Sequence, residues 1–255
     1  MNILQIIIII VIVVLVIMLL KYILSDPYTL QYMKNGQTAN TIAATSLATN
    51  GSSVPSSNFA YSIWFYVNDW NYRYGERKVL FGRMSSGSPV GTGDVSGLNG
   101  LGPCPAVYFD SVENNILVSL SCYPGADTLS QANKRHAIIK TCSVNNVPIQ
   151  KWVNLVVSVY GRSMDLYIDG KLVRTCLLPG IANINVNSNV YVTPSGGFNG
   201  WTSRFQYFPS SLNPQDVWNI YAQGYASSLW GNFLNTYQLT LSLVKNGDTE
   251  TSVTI

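Results

Sequence analysis

The sequence predicts an all-β protein: two antiparallel sheets packed as a sandwich with one short helix, preceded by an N-terminal transmembrane helix. Three observations predict it. Aromatic and β-branched segments, separated by Gly, Asn and Pro turns, recur from Asn58 onward. One segment near the end of that stretch has helical spacing and caps. The chain itself opens on an unbroken apolar block.

Composition narrows the function classes. Of 255 residues, 47% are hydrophobic and 11% charged, less than half the ~25% usual in soluble domains. The formal charge of +3 comes from 15 basic and 12 acidic residues. The basic residues are scattered, which gives no nucleic-acid surface. His136 is the single histidine, so a multi-histidine metal site is excluded. It follows Lys134 and Arg135 with no acid or Cys at motif spacing, and reads as a structural or surface residue.

Residues 6–20 read IIIIIVIVVLVIMLL, and Ile3 and Leu4 extend the block past one Gln. As a helix, residues 3–20 span about 27 Å, close to a ~30 Å hydrocarbon core. Lys21 can snorkel to the headgroups. A cleaved signal peptide is disfavoured, because no basic n-region precedes the block and no A-x-A pattern follows it. A buried strand is disfavoured by length. Residues 1–24 therefore read as an uncleaved anchor. Lys21 and Lys34 follow it, which places the large domain on the cytoplasmic side by the positive-inside rule.

Residues 25–57 read as a linker or stalk, with Pro27, Asn35-Gly36, Asn50-Gly51 and a run of small polar residues, part of which is left free to pack on the domain that follows. Asn50-Gly51-Ser52 is an N-glycosylation sequon, or a chance match in a chain rich in Asn and Ser. Strands are expected at 59–67 and 77–82. A Gly/Ser-rich loop at 84–105 follows, with six glycines between Gly87 and Gly102. Loops of that length are usually functional or mobile, so it is expected either to contribute to a contact surface or to be a solvated, disordered segment. Further strands are expected at 106–110, 115–122, 136–142 and 152–160. A hairpin over 164–176 turns at Asp169-Gly170, the signal of a type I′ turn. Strands near 189–193 and 198–208 precede the helix. Asn213 caps that helix, Pro214 starts it, Gly224 ends it, and Val217, Ile220 and Tyr221 share one face. Residues 226–255 read as a C-terminal extension, a hairpin of strands 237–244 and 249–255 around Asn246-Gly247.

Three segments together carry a family resemblance. Phe59-Ala-Tyr-Ser-Ile-Trp-Phe-Tyr-Val67 resembles the opening strand of the concanavalin A-like lectin/glucanase superfamily, in its laminin G-like and pentraxin-like branch. Trp152-Val-Asn-Leu-Val-Val-Ser-Val-Tyr160, followed by Leu166-Tyr-Ile-Asp-Gly-Lys-Leu-Val173, resembles the central hairpins. Gly197-Phe-Asn-Gly-Trp201, Arg204-Phe-Gln-Tyr-Phe208 and Leu212-Asn-Pro-Gln-Asp-Val217 resemble the closing strand and helix. The resemblance covers residues 58–225 and implies a jelly roll. The aromatics of these strands read as core packing rather than sugar-stacking surfaces.

The superfamily includes glucanases, but their clustered carboxylate motif is missing. Glu76, Glu113 and Glu250 lie far apart, and Asp165 and Asp169 on one strand would stand roughly 13 Å apart, beyond glycosidase range. No enzyme activity is expected. The resemblance also implies calcium (Ca2+) as a ligand in some members. Asp94, Asp110 and Asp127 lie in or near loops, yet they form no dense cluster and are read as solvated. Cys104, Cys122, Cys142 and Cys176 permit two disulfides in three connectivities. The pairs to test first are 104/122 and 142/176, and free buried thiols are the alternative.

An N-terminal anchor ahead of a lectin-like domain resembles virion membrane proteins of large DNA viruses. The implied function is a non-catalytic structural protein between membrane and capsid, with the lipid bilayer and capsid proteins as partners. The alternative is a surface lectin or adhesin that holds glycans through exposed residues such as Trp70, Asn71 and Tyr72.

Overall fold

A computed structural model describes residues 12, 15, 26, 28–48, 57–84, 102–123, 138–226, 240–245 and 248–254. Ile12 and Leu15, within the apolar block, are helical with exposed side chains. No helix among the described residues is long and apolar enough to cross a membrane. The rest of the expected anchor lies outside the described residues, as do Asn50, Asp94, Asp127, His136 and most of the 84–105 loop.

The described chain is mostly β. The front sheet contains β1 (Thr29–Gln31), β2 (Lys34–Asn35), β4 (Phe59–Asp69), β9 (Trp152–Tyr160), β10 (Ser163–Ile168), β11 (Lys171–Leu177) and β13 (Asn199–Phe208). Its order is β1-β13-β4-β9-β10-β11, with β2 also paired to β13. The back sheet contains β3 (Asn40–Ile42), β5 (Lys78–Met84), β6 (Pro103–Phe109), β7 (Ile116–Cys122), β8 (Ile138–Val144) and β12 (Val190–Val192), in the order β3-β12-β5-β6-β7-β8. All the pairings are antiparallel.

Alternation builds the core. In β4 every second side chain, Phe59, Tyr61, Ile63, Phe65 and Val67, faces the back sheet. Val153, Leu155, Val157 and Val159 of β9 do the same. They meet Leu80, Phe81, Val107, Phe109 and Val118 from the other layer. The rings interlock: Tyr61 lies 5.3 Å from Phe81, and Phe65 lies edge-on to Phe109 at 5.4 Å. In β13, Phe205 and Tyr207 reach this core, while Gln206 and Phe208 point outward as the alternation predicts. A bulge with Arg204 at φ 43° switches the face in mid-strand.

The helix α1 (Pro214–Ala222) has the expected caps. Asn213 Oδ1 accepts from Asp216 N at 2.9 Å, and Asp216 Oδ2 accepts from Asn213 N at 3.2 Å. Val217 packs on Val156 and Tyr167, and Ile220 packs on Ala60 and Phe208. Docking there accounts for the buried Val156 on the outward face of β9. Asp169 (φ 50°) and Gly170 (φ 76°) form the expected hairpin turn, and a side chain at Gly170 would collide with Trp218 of α1. The C-terminal hairpin pairs β14 (Thr240–Lys245) with β15 (Asp248–Thr254) in a separate two-stranded sheet.

The expected linker over residues 25–57 is corrected in part. Residues 28–48 carry β1, β2, β3 and a 3-10 turn, and they complete both sheets. Thr29 pairs with Gln206, Asn35 with Trp201 and Ile42 with Val190. Strands of two or three residues show no period of their own, and their partners lie far along the chain. Local pattern therefore reads them as loop. Upstream, Asp26 pairs with Arg204 at 3.5 Å and also accepts from Gln206 Nε2.

Candidate functional site

Two surfaces stand out. The first contains one of the residues expected from the sequence. After β4 the chain turns through residues 70–76. The Trp70 ring packs edge-on to Phe109 at 5.8 Å, carries Lys78 Nζ over its face at 4.7 Å, and donates Nε1–H to the Val112 carbonyl at 3.1 Å. Burial lowers the Lys78 ammonium pKa, and the nearby Arg73 charge adds to the effect. Trp70 also lines an open cleft of about 540 Å³ with Glu113, Asn114, Asn145, Asn146 and Ile149. Asn114 and Glu113 are already engaged: Asn114 Nδ2 donates to Val147 O at 3.0 Å, and Glu113 accepts from Asn115 Nδ2 at 2.5 Å.

Asn71 and Tyr72 do not line this cleft. Asn71 is exposed, and its backbone is held by Asp69 Oδ1 at 2.9 Å. Tyr72 donates its hydroxyl to Gly196 O at 3.1 Å and fastens the turn to the 194–197 segment. The three neighbours thus serve different ends, and Trp70 is a structural anchor as much as a surface.

The second surface is on the outer face of the front sheet, where β13, β4 and β9 lie side by side. Trp201 pairs with Tyr66, and Tyr66 with Trp152. Three rings therefore form a row across three strands, 5.8 Å between centroids at each step. Tyr225, just beyond α1, stacks on Trp152 at 4.5 Å with planes 7° apart. It also meets Trp64, which stacks on Tyr221 at 5.6 Å. Trp201 is 40% exposed and Tyr225 38%. Asn68 and Asn199 stand beyond the row, 3.4 Å apart from Nδ2 to Oδ1, and Asn35 pairs with Trp201. The cross-strand neighbours Trp64 Nε1 and Asn154 Oδ1 are buried and make no hydrogen bond within the protein.

Sequence reasoning read these outward rings as core. The available signal was their position: Tyr66 and Trp152 alternate with core residues and so must face away from the core.

The carboxylates have structural partners. Glu76 pairs with Arg73 at 2.7 Å, and Asp165 accepts from the Thr175 hydroxyl at 2.7 Å. Asp169 accepts from Asn154 N at 2.9 Å and pairs with Lys151 at 3.3 Å. Asp110 accepts from Ser111 N at 2.6 Å within its own turn. Among the described residues no three His, Cys, Asp or Glu side chains converge as metal ligands would. Cys142 and Cys176 form a disulfide. Cys104 and Cys122 are free and buried, so a 104/122 bridge is not formed. Burial pushes both of their thiols up to about 11, against the opposing pull of Arg83 on Cys104.

No protein-family model matches the chain. No curated protein matches it. Among solved structures it is similar to the binding domain of botulinum neurotoxin serotype G, at 15% identity over 78% of this chain and 49% of that one, with a TM-score of 0.46. It is also similar to the receptor binding domain of a botulinum neurotoxin C/D mosaic serotype, at 14% identity over 66% of this chain and 36% of that one, with a TM-score of 0.44. The chain thus spans less than half of either. At such identities and scores the likeness says nothing of what this chain binds.

Proposed function

We propose that this chain is a single-pass membrane protein whose sandwich, a laminin G-like jelly roll of the concanavalin A-like kind, is a non-catalytic interaction module. The role that best fits this is a minor structural protein between a virion membrane and its capsid, with capsid proteins as partners. The observation that carries the reading is how close the apolar block lies to the folded domain. The block ends at Leu20, and Asp26 is already bound to Arg204. Six residues reach at most about 20 Å, so the sandwich is held against the headgroups rather than on a long stalk. A short tether suits a bracket between two apposed layers. The partnered carboxylates support a role without catalysis.

A second reading, a surface glycan-binding lectin, is favoured by two observations. The row of outward rings is one. The Cys142–Cys176 disulfide is the other, since such bonds persist on the oxidising side of a membrane. A cytoplasm-facing domain keeps the bond only if the particle has its own oxidation system. Protease protection of membrane vesicles, with crosslinking in the native particle, tests both readings. A shielded domain that crosslinks to capsid protein supports the first. A domain on the extracellular side, without such crosslinks, overturns it in favour of the second.

A further inference from the structure

We propose that the end of the sandwich at which the chain enters rests on the lipid bilayer, with Tyr160, Leu177, Ile181 and Tyr123 dipping into the headgroup layer. The proposal rests on the single-pass reading of the chain and adds the face and the side chains that meet the lipid.

Strand register fixes which end this is. Tyr28 O accepts from Tyr207 N at 3.1 Å, so the chain enters beside the end of β13. From there one row crosses the front sheet: Phe208 pairs with Ala60, Ala60 with Ser158, Ser158 with Asp165, and Asp165 with Thr175. Tyr160, Ser163 and Leu177 form the next outward row, two residues or roughly 7 Å nearer the rim. The chain then crosses to the back sheet at the same end. Ile181 O accepts from Tyr123 N at 2.9 Å, and Asn183 N donates to Ser121 O at 2.8 Å.

Tether length brings this end to the membrane. The apolar block ends at Leu20, six residues before Asp26, which Arg204 holds. Those residues reach at most about 20 Å. The opposite end lies a β4 length away, ten steps from Phe59 to Asp69 or roughly 34 Å, beyond that reach.

The chemistry of the rim suits lipid. Leu177 at 73% and Tyr160 at 67% are the most exposed large apolar side chains among the described residues, and they flank Ser163 on one face. Ile181 and Tyr123 are exposed beside them. Tyrosine is at home at a membrane surface, since its ring is apolar and its hydroxyl stays wet. Arg162 is the one charged residue in 160–163 and 177–186, it is exposed, and a cation suits phosphate headgroups. The opposite end carries Asp69, Arg73, Glu76, Asp110, Glu113 and Lys151, so pressing it on a bilayer would strip far more charge of water. The tether supplies a high effective concentration, so shallow insertion of a few side chains is enough.

The test uses the full chain reconstituted in phosphatidylcholine–phosphatidylserine vesicles. A single fluorophore is attached at Tyr160→Cys, or at Val112→Cys on the opposite end. The two free cysteines of the parent are buried and do not compete for it. The label at 160 is expected to be quenched by lipids spin-labelled near the headgroup and spared by aqueous iodide, and the label at 112 to show the reverse. Adding Leu177→Asp with Ile181→Asp is expected to cut lipid quenching at 160 about threefold. Should Tyr160→Cys fail to fold, Tyr123→Cys carries the label with the same expectation. Iodide access equal at 160 and 112, lipid quenching at 112, or quenching indifferent to the Asp pair overturns the docking face. So does a label at 160 shielded from iodide without lipid quenching, which would assign the rim to a protein partner or a second copy. Carbonate washing of the same vesicles separates the two failures. Retained protein with label 160 in water overturns the docking face and leaves the anchor standing, whereas released protein overturns both.

Discussion

Cys142 on β8 and Cys176 on β11 are joined by a disulfide between the edge strands of the two sheets, with Cα atoms 6.5 Å apart. The bond closes one side of the sandwich. Arg174 reinforces it by donating Nη1–H to Ser143 O at 3.1 Å. Both strands are otherwise edges, β11 mostly exposed, so the covalent tie replaces packing that this side lacks.

Removing the bond should cost stability in proportion to the loop it closes. With a separation of 34 residues, chain entropy gives about 3.8 kcal/mol. Cys142→Ser with Cys176→Ser is expected to melt about 10 °C lower than the oxidised parent. Equal melting temperatures would show that the bond contributes nothing.

The two free thiols should be silent until the protein unfolds. With Cys104 and Cys122 pushed up to about 11, both are neutral thiols at pH 8 and shielded from reagent. Iodoacetamide should label neither in the native protein and both in denaturant without reductant. Fast labelling of the native protein would contradict this.

Lys78 predicts a pH effect. Its ammonium pKa is lowered in the folded state, so the unfolded chain holds more protons between that lowered value and the ordinary one. Over that window stability contributed by this residue rises with pH. Parent and Lys78→Met, melted side by side from pH 7 to 10, should diverge in the parent's favour as pH rises. The comparison cancels the opposing titration of the buried thiols. A constant gap across the range would remove Lys78 as the cause.

Where the domain begins is testable by truncation. A chain starting at Asp26 keeps β1, β2 and β3, whereas one starting at Asn58 uncovers the edges of β13 and β12. The longer chain is expected to melt cooperatively with a β-type circular dichroism spectrum. The shorter one should melt lower or aggregate. Identical melts would return residues 28–48 to the status of a linker.

The anchor has its own test. Ile9→Arg with Val13→Arg places two charges in the apolar block, each costing about 2.5–3.5 kcal/mol to insert. The variant is expected to leave membranes on carbonate washing. Retention would locate the attachment elsewhere.

Local physics alone determined much of this protein. The alternation in 59–67 and 152–160, the φ > 0 demand met by Asp169-Gly170, and the Asn213–Asp216 capping box are each written in a few adjacent residues. Those signals place strands, turns and the helix without reference to anything distant. Tertiary structure alone decided the rest. β1, β2 and β3 are strands only because β13 and β12 pair with them, more than a hundred residues on. The even number of cysteines left three connectivities open, and the approach of β8 to β11 selects one bridge and leaves Cys104 and Cys122 free. Tyr66, Trp152 and Trp201 were each legible as strand aromatics. That they form one row depends on which strands are neighbours and in what register, and burial of the inner face against the other sheet sets that register rather than any local pattern.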